Sequence, residues 1–154
     1  MVSITDIILD RLNETTLFEM AHSRREVRQK VTDLSPQIFD NLVKLFVFDS
    51  PQNAPHWRSE IDTWLDQIDS LYLTPDKKKP SKNDLYTWII FDSAPHYSEE
   101  FLRLRIRKWQ ATTYKNMPLH EFDAEYVLNK ILSIINRVCD DMAHKNFISI
   151  DDYL

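Results

Sequence analysis

Glycine occurs nowhere in the 154 residues, where average usage of about 7% would supply roughly eleven. Glycine gives the backbone positive φ at little cost and lets a ligand approach the main chain closely. Without it, Gly-rich phosphate loops, dinucleotide-binding fingerprints, tight hairpin turns and the strained turn that presents a nucleophilic serine all lose their usual residue. Nucleotide-fold enzymes are therefore disfavoured. An all-helical chain loses least, because helix ends can use Asn, Pro and polar capping side chains instead.

Cysteine is almost as scarce. Cys139 stands alone, which removes an intrachain disulfide and a Cys-rich zinc site and gives no sign of an oxidising compartment. No apolar run reaches the roughly eighteen residues of a membrane span. Asp6 and Asp10 interrupt the apolar start "MVSITDIILDRLN", which argues against a signal peptide. The expectation is a soluble cytoplasmic protein without a membrane partner. Acids outnumber bases, 24 to 19, for a net charge of −5; this disfavours a general nucleic-acid binder but leaves room for a local basic patch.

What is present is apolar content of 43%, enough to bury one core without staples. Ile4, Ile7, Ile8 and Leu12 follow helical spacing after Ser3, and a helix with a break near 13–16 continues through Leu17, Val27 and Val31. Ser35 and Pro36 read as an N-cap and first-turn proline opening a second helix over "QIFDNLVKLFVF". Trp57, Ile61, Trp64, Leu65, Ile68, Leu71 and Tyr72 recur at i, i+3, i+4 and i+7, with Asp62, Asp66 and Asp69 as a solvated stripe opposite. The Pro-bounded loop "TPDKKKPSK" exposes Lys77, Lys78, Lys79 and Lys82, which serve local solubility or, alternatively, dock on the chain's own aspartates or on an acidic partner. Ser81 and Asp84 fit the start of a helix through Leu85, Trp88 and Ile89. The last helix is entered after Met117 and Pro118 and is the longest, with Cys139 among its apolar positions as an inert buried thiol. These features predict an all-α, single-domain bundle of about five or six helices over residues 1–154, with a short C-terminal tail at about 145–154.

The stretch "SEEFLRLRIRKW", Ser98 to Trp109, alternates apolar and arginine residues as a half-buried strand would. Its ends favour a helix: Ser98 can cap, Glu99 and Glu100 suit the N-terminus, and Arg107 and Lys108 suit the later turns. On a helix, Arg105 falls inside the apolar arc and must snorkel, pair with a carboxylate or face a partner. Arg103, Arg105, Arg107 and Lys108, with Trp109 as anchor, form a candidate partner-binding surface, because Arg and Trp are frequent interface hot spots. The sequence therefore predicts a non-enzymatic protein with a regulatory, adaptor or inhibitory role. Its expected partner is another protein, acidic where it touches this helix; RNA held by the same basic helix is the competing partner. Self-association through Trp57, Trp64, Trp88 and Trp109 is a further expectation. No cofactor is expected.

Two chemical alternatives arise from the histidines. "EMAH" at Glu19 to His22 and "DMAH" at Asp141 to His144 repeat the carboxylate-x-x-His spacing of dinuclear metal bundles. "RVCDDMAH" places six residues between Arg137 and His144 and resembles the spaced Arg and His element of HEPN ribonucleases, an all-helical family that often works as dimers. The resemblance covers these eight residues, with Val138 where a polar residue is usual. It implies metal-independent RNA cleavage, Arg137 stabilising phosphate charge and His144 handling a proton. A purely structural arrangement is the preferred reading: Arg137 with Asp141 and Asp140 with His144 are i, i+4 pairs, worth about 0.3 to 0.5 kcal/mol each when exposed. His56, His96 and His120 fall near loops or helix ends with no ligand spacing.

Overall fold

The computed structural model describes the backbone of residues 4–73, 79–92 and 98–154, with side chains from residue 24 onward in those ranges. Five α-helices occur among the described residues: α1 (Ile4–Val47), α2 (Ala54–Asp69), α3 (Lys82–Ile90), α4 (Glu99–Ala111) and α5 (Ala124–Ala143). Short 3₁₀ turns follow at Ser70–Leu73 and Ile150–Tyr153. There is no strand among the described residues, only a single antiparallel bridge between Phe48 and Leu119. None of these helices is long and apolar enough to cross a membrane.

α1 packs on α2, α3 and α5, while α5 packs in turn on α3 and α4. The buried side chains form one cluster, running from Val27 and Val31 on α1 to Ile150 and Tyr153 at the C-terminus. α5 has the most regular apolar stripe. Val127, Ile131, Ile134, Ile135, Val138 and Met142 are all buried, and burying each such side chain stabilises the fold by about 1.5 to 3 kcal/mol. Cys139 lies in the same stripe with no exposed area. Burial pushes its thiol up to about 12, which keeps it protonated and unreactive, because the thiolate is the nucleophile.

The starts of α3, α4 and α5 are capped by side chains that the sequence supplies. Ser81 Oγ accepts from the Asp84 amide at 3.1 Å, Ser98 Oγ from the Phe101 amide at 3.1 Å, and Asp123 Oδ1 from the Tyr126 amide at 3.0 Å. Each bond satisfies one of the donors that a helix N-terminus leaves open. Asp123 also corrects the expected start of the last helix, which opens at Ala124 rather than just after Pro118, and at 20 residues it is shorter than the 44-residue α1, so it is not the longest helix as expected.

The expected helix start at Ser35 and Pro36 is corrected as well: α1 passes through both, and through the break expected near 13–16. Pro36 cannot donate to the Thr32 carbonyl. Side chains support the neighbouring turn, with Ser35 Oγ donating to the Val31 carbonyl at 2.6 Å and Gln37 Nε2 to the Asp33 carbonyl at 3.3 Å. The apolar stripe holds the helix together across the interruption, since Val27, Val31, Ile38, Phe39, Leu42 and Val43 are all buried.

The end of α5 shows what replaces glycine. His144 is the C-cap, and Lys145 sits in the left-handed region at φ 60°. Its amide donates to the Met142 carbonyl at 3.0 Å, and the Asn146 amide donates to the Asp141 carbonyl at 2.7 Å. These two bonds form a Schellman motif, in which glycine normally takes the left-handed position because a Cβ there is costly. Lys145→Gly should therefore raise unfolding stability by about 1 kcal/mol, read as a higher urea midpoint at constant slope. A midpoint that stays put or falls would mean that the lysine side chain compensates for its backbone.

Candidate functional site on the outer face of α4

α4 is a helix, as its capping residues indicate, and it divides the five expected binding residues into two groups. Leu102, Ile106 and Trp109 face the core. Trp109 is only 7% exposed and is therefore not the surface anchor expected from sequence. Its ring lies 6.2 Å from Phe48 and 6.2 Å from Tyr114. Trp57 joins the same cluster, 5.6 Å from Tyr114. The Lys44 ammonium lies 5.3 Å from the Trp109 ring, 5.1 Å from Tyr114 and 6.0 Å from Trp57, and it donates to Asn41 Oδ1 at 3.1 Å. Aromatic faces attract cations, and more strongly where water is thinned.

Arg105 belongs to the structural group too. Its Nη2 pairs with Asp40 Oδ2 at 2.6 Å, and its guanidinium lies 5.3 Å from the Trp109 ring. Its Nε is buried without an acceptor among the described residues. Held by both contacts against α1, this arginine is not available to a partner.

Arg103, Arg107 and Lys108 remain on the exposed side with Leu104, which is 59% exposed. None of the three cations forms an ion pair among the described residues. Elsewhere cations do find carboxylates: Arg24 with Asp84 at 3.0 Å, Arg28 with Asp92 at 3.0 Å, Arg58 with Asp151 at 3.6 Å and Lys82 with Asp140 at 3.6 Å. The Lys82 pair realises the docking on the chain's own aspartates expected for the basic loop. Lys79 Nζ donates to the Leu71 carbonyl at 2.8 Å, and Lys77 and Lys78 lie outside the described residues. Four residues of helix rise about 6 Å, so Arg103 and Arg107 stand side by side. Beside them runs a shallow groove of about 170 Å³, lined by Arg103, Ile106, Arg107, Gln110, Leu119 and Phe122.

Arg137, Asp141 and His144, the C-terminal residues of the two chemical alternatives, lie toward the end of α5. Arg137, Asp140, Asp141, Asn146, Asp152 and Tyr153 line an open cleft of about 310 Å³. The expected Arg137 and Asp141 pair is not made. Arg137 Nη2 donates to the Tyr153 carbonyl at 3.1 Å with its guanidinium 5.6 Å from that ring, while Asp141 accepts from the Tyr153 hydroxyl. Burial, and then the bond to Asp141, push the Tyr153 phenol above its ordinary range. His144 Nδ1 lies 2.8 Å from the Asp140 carbonyl and 3.6 Å from its carboxylate, close to the expected pairing. A phosphodiester entering this cleft would meet three carboxylates around an arginine that is already engaged. The side chains of Glu19 and His22 lie outside the described residues, as does His96. Among the described residues no three His, Cys, Asp or Glu side chains are placed to hold a metal ion.

Sequence reasoning missed the role of Asp62. It is not part of a purely solvated stripe: its Oδ1 accepts from the Ile150 amide at 2.7 Å and its Oδ2 from the Ser149 hydroxyl at 2.9 Å. Desolvation, and then the neighbouring carboxylate one turn back, raise Asp66 and Asp69 above the usual carboxylate range. The tryptophan surface expected for self-association is also corrected, because Trp57, Trp88 and Trp109 are buried and Trp64 is half-buried against the core. No family model, curated protein or solved structure matches the chain.

Proposed function

We propose that this chain is a non-enzymatic binding protein of the cytoplasm, with a regulatory, adaptor or inhibitory role, which engages an acidic surface of another protein through the outer face of α4. One observation carries the reading: Arg103, Arg107 and Lys108 are exposed together around Leu104 and form no ion pair among the described residues, in a chain of net charge −5. Unpaired like charges side by side repel one another, and a complementary surface relieves that repulsion while steering encounter. The α5 cleft supports catalysis less well, because its aspartates oppose an anionic substrate.

Affinity capture from the source cell with wild type and Arg103→Glu/Arg107→Glu tests the reading. A specific partner should fall by about tenfold or more on the variant, with the helical circular dichroism spectrum unchanged, and raised salt should weaken capture by wild type. Equal recovery on both forms would sink the α4 surface. RNA cleavage by wild type that disappears in His144→Ala but persists in Arg103→Ala would replace binding with the ribonuclease reading.

A further inference from the structure

The groove beside α4 has a built second wall. Leu119 bridges to Phe48 at the end of α1, and two backbone bonds fix it there, from the Asp49 amide to the Pro118 carbonyl at 2.9 Å and from the His120 amide to the Val47 carbonyl at 2.9 Å. Asp123 then anchors the far end of the segment as the cap of α5. The space between that wall and α4 therefore exists before any partner arrives, which lowers the ordering cost of binding. Its lining is mixed: Ile106, Leu119 and Phe122 supply apolar area, Gln110 a neutral polar edge, and Arg103 and Arg107 the charge. A volume of about 170 Å³ suits one large side chain rather than a continuous apolar helix face.

We propose that the groove receives a short acidic peptide segment bearing one large apolar side chain, which sits against Ile106, Leu119 and Phe122 while flanking Asp or Glu residues meet Arg103 and Arg107. This rests on the α4 reading above and specifies the chemistry of its partner. Charge complementarity selects the occupant. Arg103 and Arg107 at the groove match carboxylates spaced along a peptide, and the apolar lining beside them needs an aliphatic or aromatic anchor. An RNA strand offers unbroken phosphate charge, whereas a peptide can place separate carboxylates on either side of the apolar residue that meets Ile106, Leu119 and Phe122.

The test is selection from a random peptide display library on the full chain, run in parallel on Arg103→Glu/Arg107→Glu. Enriched peptides should carry an excess of Asp and Glu around one Phe, Leu, Ile, Met or Trp. Measured by fluorescence anisotropy, the best labelled peptide should weaken about tenfold when its apolar residue becomes alanine, and similarly on Leu119→Ser. It should lose detectable binding on the charge-reversed chain. Basic or neutral winners, an apolar residue that can be removed without effect, equal binding to the charge-reversed chain, or tighter binding of a labelled single-stranded RNA would each overturn the proposal. The two levels separate cleanly. If charge reversal abolishes capture of the cellular partner while the peptide's apolar residue proves dispensable, the α4 surface stands and the groove anchor falls. If charge reversal leaves capture unchanged, the broader reading falls first.

Discussion

Trp109→Ala is expected to lower unfolding stability by about 3 to 5 kcal/mol, the range for removing a buried aromatic from a packed core. The side chain is 7% exposed and touches the Phe48 and Tyr114 rings, so truncation leaves a cavity where three elements meet: the end of α1, α4 and the segment after α4. It also removes one of the rings around the Lys44 ammonium and the ring under Arg105, leaving two partly buried cations less well compensated. Urea unfolding followed by circular dichroism measures the loss, and Trp109→Phe should recover a large part of it by restoring ring volume. The result discriminates sharply between roles. A surface anchor for a partner would alter affinity and leave the midpoint of the free protein unchanged.

Asp62→Ala should release the C-terminal tail. The carboxylate accepts from the Ile150 amide and the Ser149 hydroxyl, and hydrogen bonds to a charged group contribute about 1.5 to 3 kcal/mol. Ile150, Tyr153 and Phe147 are buried behind those bonds, so their packing loosens with the loss of the acceptor. The Ile150 amide should then exchange with solvent faster in proportion to the destabilisation, and cleavage by a nonspecific protease should begin within 145–154. Asp62→Asn, which keeps one acceptor oxygen, should show a smaller change. Unaltered protection at Ile150 in the alanine variant would mean that apolar contacts alone hold the tail.

Sequence periodicity located α2 and most of α5, because each has an apolar stripe broad enough to outweigh local ambiguity, whereas α4 was legible from its capping residues. α4 is the instructive case. Its arginine alternation imitates a strand, but Ser98, Glu99 and Glu100 mark a helix start, and the structure has Ser98 in that capping role. The options open to Arg105, snorkelling, pairing or facing outward, narrowed to pairing only once Asp40 on α1 came within 2.6 Å; a contact between residues so far apart in sequence leaves no local signature. Trp109 was misplaced for a related reason, since its position on the helix circle fits either the core edge or the surface until Phe48 and Tyr114 close over it. Pro36 misled because local chemistry was weighed above the stripe of Val27, Val31, Ile38, Phe39 and Leu42, which continues in register across it. Asp62 sat among Asp66 and Asp69 with nothing local to distinguish it. Its partners, Ser149 and Ile150, arrive from the opposite end of the chain.

Two non-glycine residues held at positive φ, Asn116 and Lys145, carry a consequence for the unfolded chain. Every residue other than glycine samples a narrower range of backbone angles, so a chain without glycine has fewer disordered conformations to surrender on folding. Local strain at a few reversals thus accompanies a denatured ensemble that is restricted along its whole length. Glycine introduced at helix interiors would widen that ensemble and destabilise the fold, whereas at Lys145 the same residue relieves strain in the native state.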